Sequence, residues 1–402
     1  MIQDRAASWS PRADGETAAR ALETAEAIGR DLARSALDAP PGMSLIRGHA
    51  GLALFFAYLE RARGLADAGE RAQHHLDLAI DALADQPGPE ASLYFGFAGV
   101  AWVAEHLAAG EPLAEDEDPN ADIDAALLSL LRRSPWHGEF DLLGGLVGWG
   151  AYALERLPRP SAAEMLSLVV ARLAECAEPG IAGVVWRDPR NPSRAPDPGM
   201  AHGAAGVIAL LARMLAEGAA GPETAPLLAA AVEGVLARPA PAGEDLESDL
   251  AWCAGDAGLS MALLAAGRAT GRSDWENAGR RLARAAAERY RDDAEGFDPA
   301  LCHGTAGLSH LFYRLHQTTG DPELLAASRR WLERTLAARR PGEGIGGFLC
   351  RGRQTDGRFG WIADPGFLGG AAGIGLALLA ASAPVEPAWD RLLLLSGSPA
   401  RL

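Results

Sequence analysis

Hydrophobic positions along this chain follow two alternating patterns. In the first, apolar residues recur at helical spacing with charged residues between them. Examples are ETAARALETAEAIGRDLARSAL from Glu16, SAAEMLSLVVARLAECA from Ser161, SDWENAGRRLARAAAERY from Ser273 and DPELLAASRRWLERTLAARR from Asp321. These stretches predict amphipathic helices, with Asp, Ser and Glu at their starts and Arg at their ends, as capping and the helix dipole favour. In the second pattern, a run that is apolar on almost every side opens on the frame G-x-x-G, which predicts a helix buried all round.

The frame recurs seven times, at Gly48, Gly96, Gly145, Gly203, Gly255, Gly304 and Gly370, at intervals of 48, 49, 58, 52, 49 and 66 residues. Intervals this even indicate a structural repeat. Each unit reads as an outer amphipathic helix, a loop and an inner apolar helix. Seven hairpins can form an open array or close on themselves, and closure is favoured because an open array would leave a broad apolar face in water. The expected fold is therefore all-α: an α/α toroid of fourteen helices in two layers, one domain spanning residues 1–402. A small residue at each inner start predicts close backbone approach and free N–H groups at the mouth of the ring. Two long connections rich in Gly and Pro, from Glu178 and from Arg340, are expected to overhang that mouth and to hold short strands.

Composition narrows the function. With 37 Lys and Arg against 53 Asp and Glu, the net charge of −16 would repel phosphate backbones and anionic lipid heads, so nucleic acid is not an expected partner. The N-terminus lacks a basic region followed by an apolar run, and a cytoplasmic location is expected. Residues 366–385 are uncharged and long enough to span a bilayer, but they coincide with the seventh inner helix and carry five glycines, so no membrane span is expected. Four widely separated cysteines do not make a disulfide framework.

The chemistry emerges when each repeat glycine is taken as an origin. Cys253 and Cys302 both lie two places before it, His202 and His303 one place before, and Asp141 four places before. In a closed ring this phase brings five reactive side chains to one level. Two thiolates and an imidazole suit tetrahedral zinc, and three protein ligands leave a fourth position open. Cys253 and Cys302, with an imidazole at the same level, are the expected metal ligands. Cys176 and Cys350 break the phase and read as core or bystander residues. His49 and His310 sit where they could line the cavity, although packing roles fit them better. His74, His75, His106, His137 and His316 read as solvated.

With these motifs in place, GHAG, GFAG, GLVG, DPGMAHGAAG, AWCAGDAG, ALCHGTAG and FLGGAAGIGLAL, the chain resembles the lanthionine synthetase C family of zinc-dependent cyclases over nearly its whole length. The resemblance implies that Cys253, Cys302 and His303 bind zinc and that His202 and Asp141 take part in catalysis. The implied reaction adds a peptide cysteine thiol to dehydroalanine or dehydrobutyrine, giving (methyl)lanthionine rings. The implied partners are a dehydrated precursor peptide with its leader, a separate dehydratase and a transporter. One position departs from the family. Relatives often carry Arg four places before the first zinc cysteine, where this chain has Asp249, so either zinc and His202 carry more of the charge stabilisation or a cation comes from elsewhere, with Arg187 as one candidate.

Two other readings compete. A prenyl-transferring toroid would need an Asp-rich or Lys/Arg cluster for a diphosphate, and EDEDPNAD from Glu115 is acidic but lies in a linker. A non-catalytic zinc toroid that binds thiols or peptides would not need His202 and Asp141.

Overall fold

The computed structural model describes residues 9–34, 42–108, 118–238, 246–290, 296–354 and 356–397. Among them are fifteen α-helices and four short strands. In chain order the elements are α1 (Gly15–Arg34), α2 (His49–Arg63), α3 (Ala66–Ala84), α4 (Phe97–Ala108), α5 (Ala121–Leu131), α6 (Leu146–Glu155) and α7 (Pro160–Glu175). Then come β1 (Glu178–Pro179), β2 (Val184–Val185), α8 (Ala204–Ala216), α9 (Thr224–Leu236), α10 (Leu246–Leu250), α11 (Asp256–Thr270) and α12 (Ser273–Glu288). The chain ends with α13 (Thr305–Thr319), α14 (Pro322–Ala337), β3 (Cys350–Arg353), β4 (Phe359–Ile362) and α15 (Ala371–Ser382). Each of the two long connections folds into a two-stranded antiparallel hairpin, as expected.

The seven apolar runs are α2, α4, α6, α8, α11, α13 and α15. In α15 all twelve residues are buried, and no described helix is long and apolar enough to cross a membrane. The amphipathic helices bury one stripe. In α14 it consists of Leu324, Ala327, Ser328, Trp331, Leu332, Thr335 and Leu336, while Asp321 caps the start by accepting from the Glu323 N–H at 3.0 Å.

The pairing of helices is offset from the sequence reading. An inner helix packs on the outer helix that follows it, as in α2 with α3, α6 with α7, α8 with α9 and α13 with α14, and α15 is left to pack on α1. The reason lies in the connections. Two-residue links join α2 to α3, α11 to α12 and α13 to α14, and each turns on a left-handed glycine, Gly64, Gly271 and Gly320 respectively. The long connections instead lead into the inner helices.

By contacts the chain forms two compact units. One comprises residues 1–85, 287–390 and 399–402, the other 86–286 and 391–398. The first has Phe55, Phe312, Trp331 and Trp389 at its core. Within it, fully buried His310 bonds Asp390 through Nε2 at 2.7 Å, and Arg314 Nε donates to the same carboxylate at 2.7 Å. Burial pushes the His310 pKa down to about 4, so this residue packs rather than titrates. The second unit is centred on Trp102, Tyr152, Trp186 and Trp252. Trp252 Nε1 donates to Leu393 O at 3.0 Å and Tyr94 Oη to Leu392 O at 2.8 Å, fixing the C-terminal segment. His106 is buried rather than solvated, with Nδ1 2.9 Å from Glu155 Oε1. His75 is half-buried, with its Nδ1 2.9 Å from that of His49.

Candidate functional site

The loop into each inner helix is a tight turn built on backbone bonds. The N–H following the repeat glycine donates to the carbonyl six places before it: Ala204 to Asp197, Thr305 to Asp298 and Ala371 to Asp364, at 3.0, 2.9 and 2.8 Å. The expectation of free N–H groups at these starts is therefore corrected, because the turn's own carbonyls take them. The glycines are required by the same geometry. A Cβ on Gly304 would lie 2.2 Å from Asp298 O, and one on Gly307 would lie 1.8 Å from Leu301 O, both well inside contact distance.

Successive turns are also joined to one another two or three places before the glycine. In the second unit Tyr94 N–H donates to Leu143 O at 3.2 Å, Leu142 to Ala201 O at 3.1 Å and Ala201 to Cys253 O at 3.0 Å. In the first unit Cys302 donates to Leu368 O at 2.9 Å and Phe367 to Ile46 O at 2.9 Å. This backbone belt fixes the chain at both cysteines without using their side chains.

Cys302 and His303 in the first unit and Cys253 in the second are each half-buried, and as a group they could hold a metal ion. The donor set fits zinc: two sulfurs and one imidazole nitrogen, three of the four ligands that a tetrahedral ion takes. His303 adds a second sign of fit. Its Nε2 lies 3.2 Å from Asp298 Oδ2, and a carboxylate only accepts, so Nε2 carries the proton and Nδ1 keeps its lone pair for a metal. Asp298 is fully buried and is itself oriented by the Ala300 and Arg351 N–H groups, each at 2.8 Å. Asp298→Ala is expected to weaken zinc binding by about 10- to 100-fold, the usual effect of losing such a partner, while leaving both thiols in place. Competition with a chromophoric chelator measures it, and unchanged affinity would show that Asp298 serves only the turn.

Sequence reasoning did not single out Asp298. The available signal was an acidic residue six places before the repeat glycine, at Glu90, Glu139, Asp197, Asp249, Asp298 and Asp364. In three of these the side chain closes the turn on the N–H two residues on, at Gly199, Ala300 and Gly366.

His202 and Asp141 meet in the second unit. His202 Nδ1 lies 2.6 Å from Asp141 Oδ2, and Asp141 Oδ1 accepts from the Gly144 N–H at 2.7 Å. The Asp141 side chain is 5% exposed and that of His202 is 48% exposed. Asp141 therefore holds one edge of the ring, and Nε2 is the edge open to a reactant. The hydrogen bond to Asp141 raises the His202 pKa above its ordinary value against the cost of burial. Arg187 is not the cation of this pair. It donates to Glu178 at 2.9 Å and to Arg194 O at 3.3 Å, whereas Arg190 Nη2 lies 3.8 Å from Asp141 Oδ2.

The other two cysteines lie on other elements and have raised thiol pKa values. Cys176, at the end of α7, is pushed up to about 11, and buried Cys350, in β3, is also raised. Neither belongs to the metal-capable group. In the acidic run from Glu115, residues 115–117 lie outside the described residues.

A family model described as lanthionine synthetase C-like protein matches residues 39–394. Among solved structures, nisin cyclase matches with a TM-score of 0.67 at 18% identity, over 95% of this chain and 98% of that one, which shows the α/α-toroid fold. No curated protein sequence matches the chain. With the family match running through nearly all of the seven repeats, the chain belongs to the lanthionine synthetase C-like family.

Proposed function

We propose that this protein is a zinc-dependent lanthipeptide cyclase, closing (methyl)lanthionine rings in a dehydrated, leader-bearing precursor peptide. The observation that carries the reading is the presence, in a member of this family, of both a zinc-fitting group at Cys253, Cys302 and His303 and an oriented Asp141–His202 pair. A metal-binding scaffold has need of the first alone. The reading has zinc as the cofactor, held by these three residues, where it would supply the Lewis-acid charge that lowers the pKa of an incoming thiol.

In the reaction, the cysteine sulfur of the peptide forms a bond to the β-carbon of dehydroalanine or dehydrobutyrine. The π pair of that double bond moves toward the carbonyl as an enolate, and the α-carbon must then take up a proton. His202 is suited to donate it from Nε2, because Asp141 holds Nδ1 and favours the imidazolium. The proton lost by the thiol restores the balance, so the product has the mass of the substrate. Disappearance of free thiol from a dehydrated, cysteine-containing precursor is therefore the test. A zinc-loaded protein that binds such a peptide without consuming thiol would instead be a binding protein.

Asp249 has little part in this scheme. It lies in the short helix α10, where the Ala251 N–H donates to Glu247 O at 3.1 Å, so the turn does not depend on its side chain as it does at Asp197 or Asp298. Its charge would also oppose a developing enolate. Asp249→Ala is expected to keep its zinc and to change the cyclisation rate by less than about tenfold, or about 1.4 kcal/mol of barrier. A zinc-replete variant without activity would give Asp249 a catalytic role.

A further inference from the structure

Arg190 enters from the long connection ahead of α8 and spans the turn that carries Asp141. Its Nη1 lies 3.0 Å from Glu139 Oε1 and its Nη2 3.8 Å from Asp141 Oδ2. Its own loop anchors it, since Asp188 Oδ1 accepts from Arg190 Nε at 3.0 Å and from the Arg190 N–H at 2.9 Å. One guanidinium thus bridges two carboxylates of one turn. The Asp141 oxygen it approaches is the oxygen that holds His202.

The placement is purposeful in charge as well as shape. Glu139 and Asp141 lie two residues apart on this turn, and burial already pushes the Glu139 carboxyl up while Arg190 draws it down. Among the described residues, Asp141, Asp188 and Asp197 are acidic groups that act on His202, and Arg190 is a cation that acts on it.

We propose that Arg190 is the positioning residue of the Asp141–His202 pair, reaching it from the long connection ahead of α8. It holds Asp141 in line with Nδ1 and tempers the acidic surroundings of the imidazole. Its consequence for rate rests on the cyclase reading, but its effect on His202 does not.

The test uses the full chain as Arg190→Ala, Arg190→Lys and, as a loop control, Arg187→Ala, each checked for zinc content and helicity. NMR titration of the His202 ring is expected to move to higher pH in Arg190→Ala, to return toward the parent in Arg190→Lys and to stay unchanged in Arg187→Ala. On a dehydrated peptide, kcat of Arg190→Ala is expected to fall about five- to tenfold with KM within about twofold, as suits a partly exposed charge. A His202 titration in Arg190→Ala that overlays the parent would overturn the proposal. So would an equal shift in Arg187→Ala, no recovery with Lys, or a parental kcat beside a shifted titration. A parent protein that consumes no thiol would defeat the cyclase reading while the titration still reported on Arg190.

Discussion

Cys302→Ala is expected to strip most of the zinc from the protein and to abolish ring closure with it. Of the three donors, two are thiolates, and these suit zinc better than the oxygen ligands that solvent could supply in their place. Losing a ligand outright should exceed the 10- to 100-fold penalty typical of losing only a supporting partner. The fold should survive, because the bond that fixes this turn runs from the Cys302 N–H to Leu368 O and is open to alanine as well. Metal analysis, helicity and thiol consumption on one preparation decide the matter. A fully zinc-loaded Cys302→Ala protein would remove Cys302 from the ligand set, and an apo variant that still cyclises would remove zinc from the reaction.

His202→Asn is expected to keep zinc and fold but to slow ring closure by about 10² to 10⁴-fold, the range for losing a general acid. Asparagine can still meet Asp141 but has no proton to give at neutral pH. The parent should also show a pH limb from this residue. Because the hydrogen bond to Asp141 raises its pKa, the imidazolium persists above the ordinary histidine range and is lost only as pH rises through the raised value. A proton donor therefore predicts activity that falls on the alkaline side, with a limb absent from His202→Asn. Activity that instead falls as pH drops through that region would make His202 a base. A variant as fast as the parent would leave protonation to water.

Much of this was legible before any coordinates. The seven glycine frames marked the inner helices because the turn ahead of each leaves no space for a Cβ, and sterics of that kind write themselves into sequence. The phase of Cys253, Cys302 and His303 was legible for the same reason: identical turns put identical offsets in equivalent places. What escaped was set by partners distant in the chain. The packing of α15 on α1 depends on which connections are short, and His106 looked solvated because Glu155, its buried partner, is 49 residues away. Arg187 and Arg190 are equally plausible as text, and only the path of the loop chooses between them.

The backbone belt joining the turns has a consequence for how this scaffold can change. Two places before the repeat glycine the seven residues are Ile46, Tyr94, Leu143, Ala201, Cys253, Cys302 and Leu368. The hydrogen bonds at that level pass through main-chain N–H and C=O groups, so they specify a location while leaving its occupant open. Aliphatic, aromatic and thiol side chains have all been accommodated there. The ring thus behaves as a set of numbered sockets, in which chemistry can be gained, lost or moved by single substitutions without renegotiating the architecture that holds it.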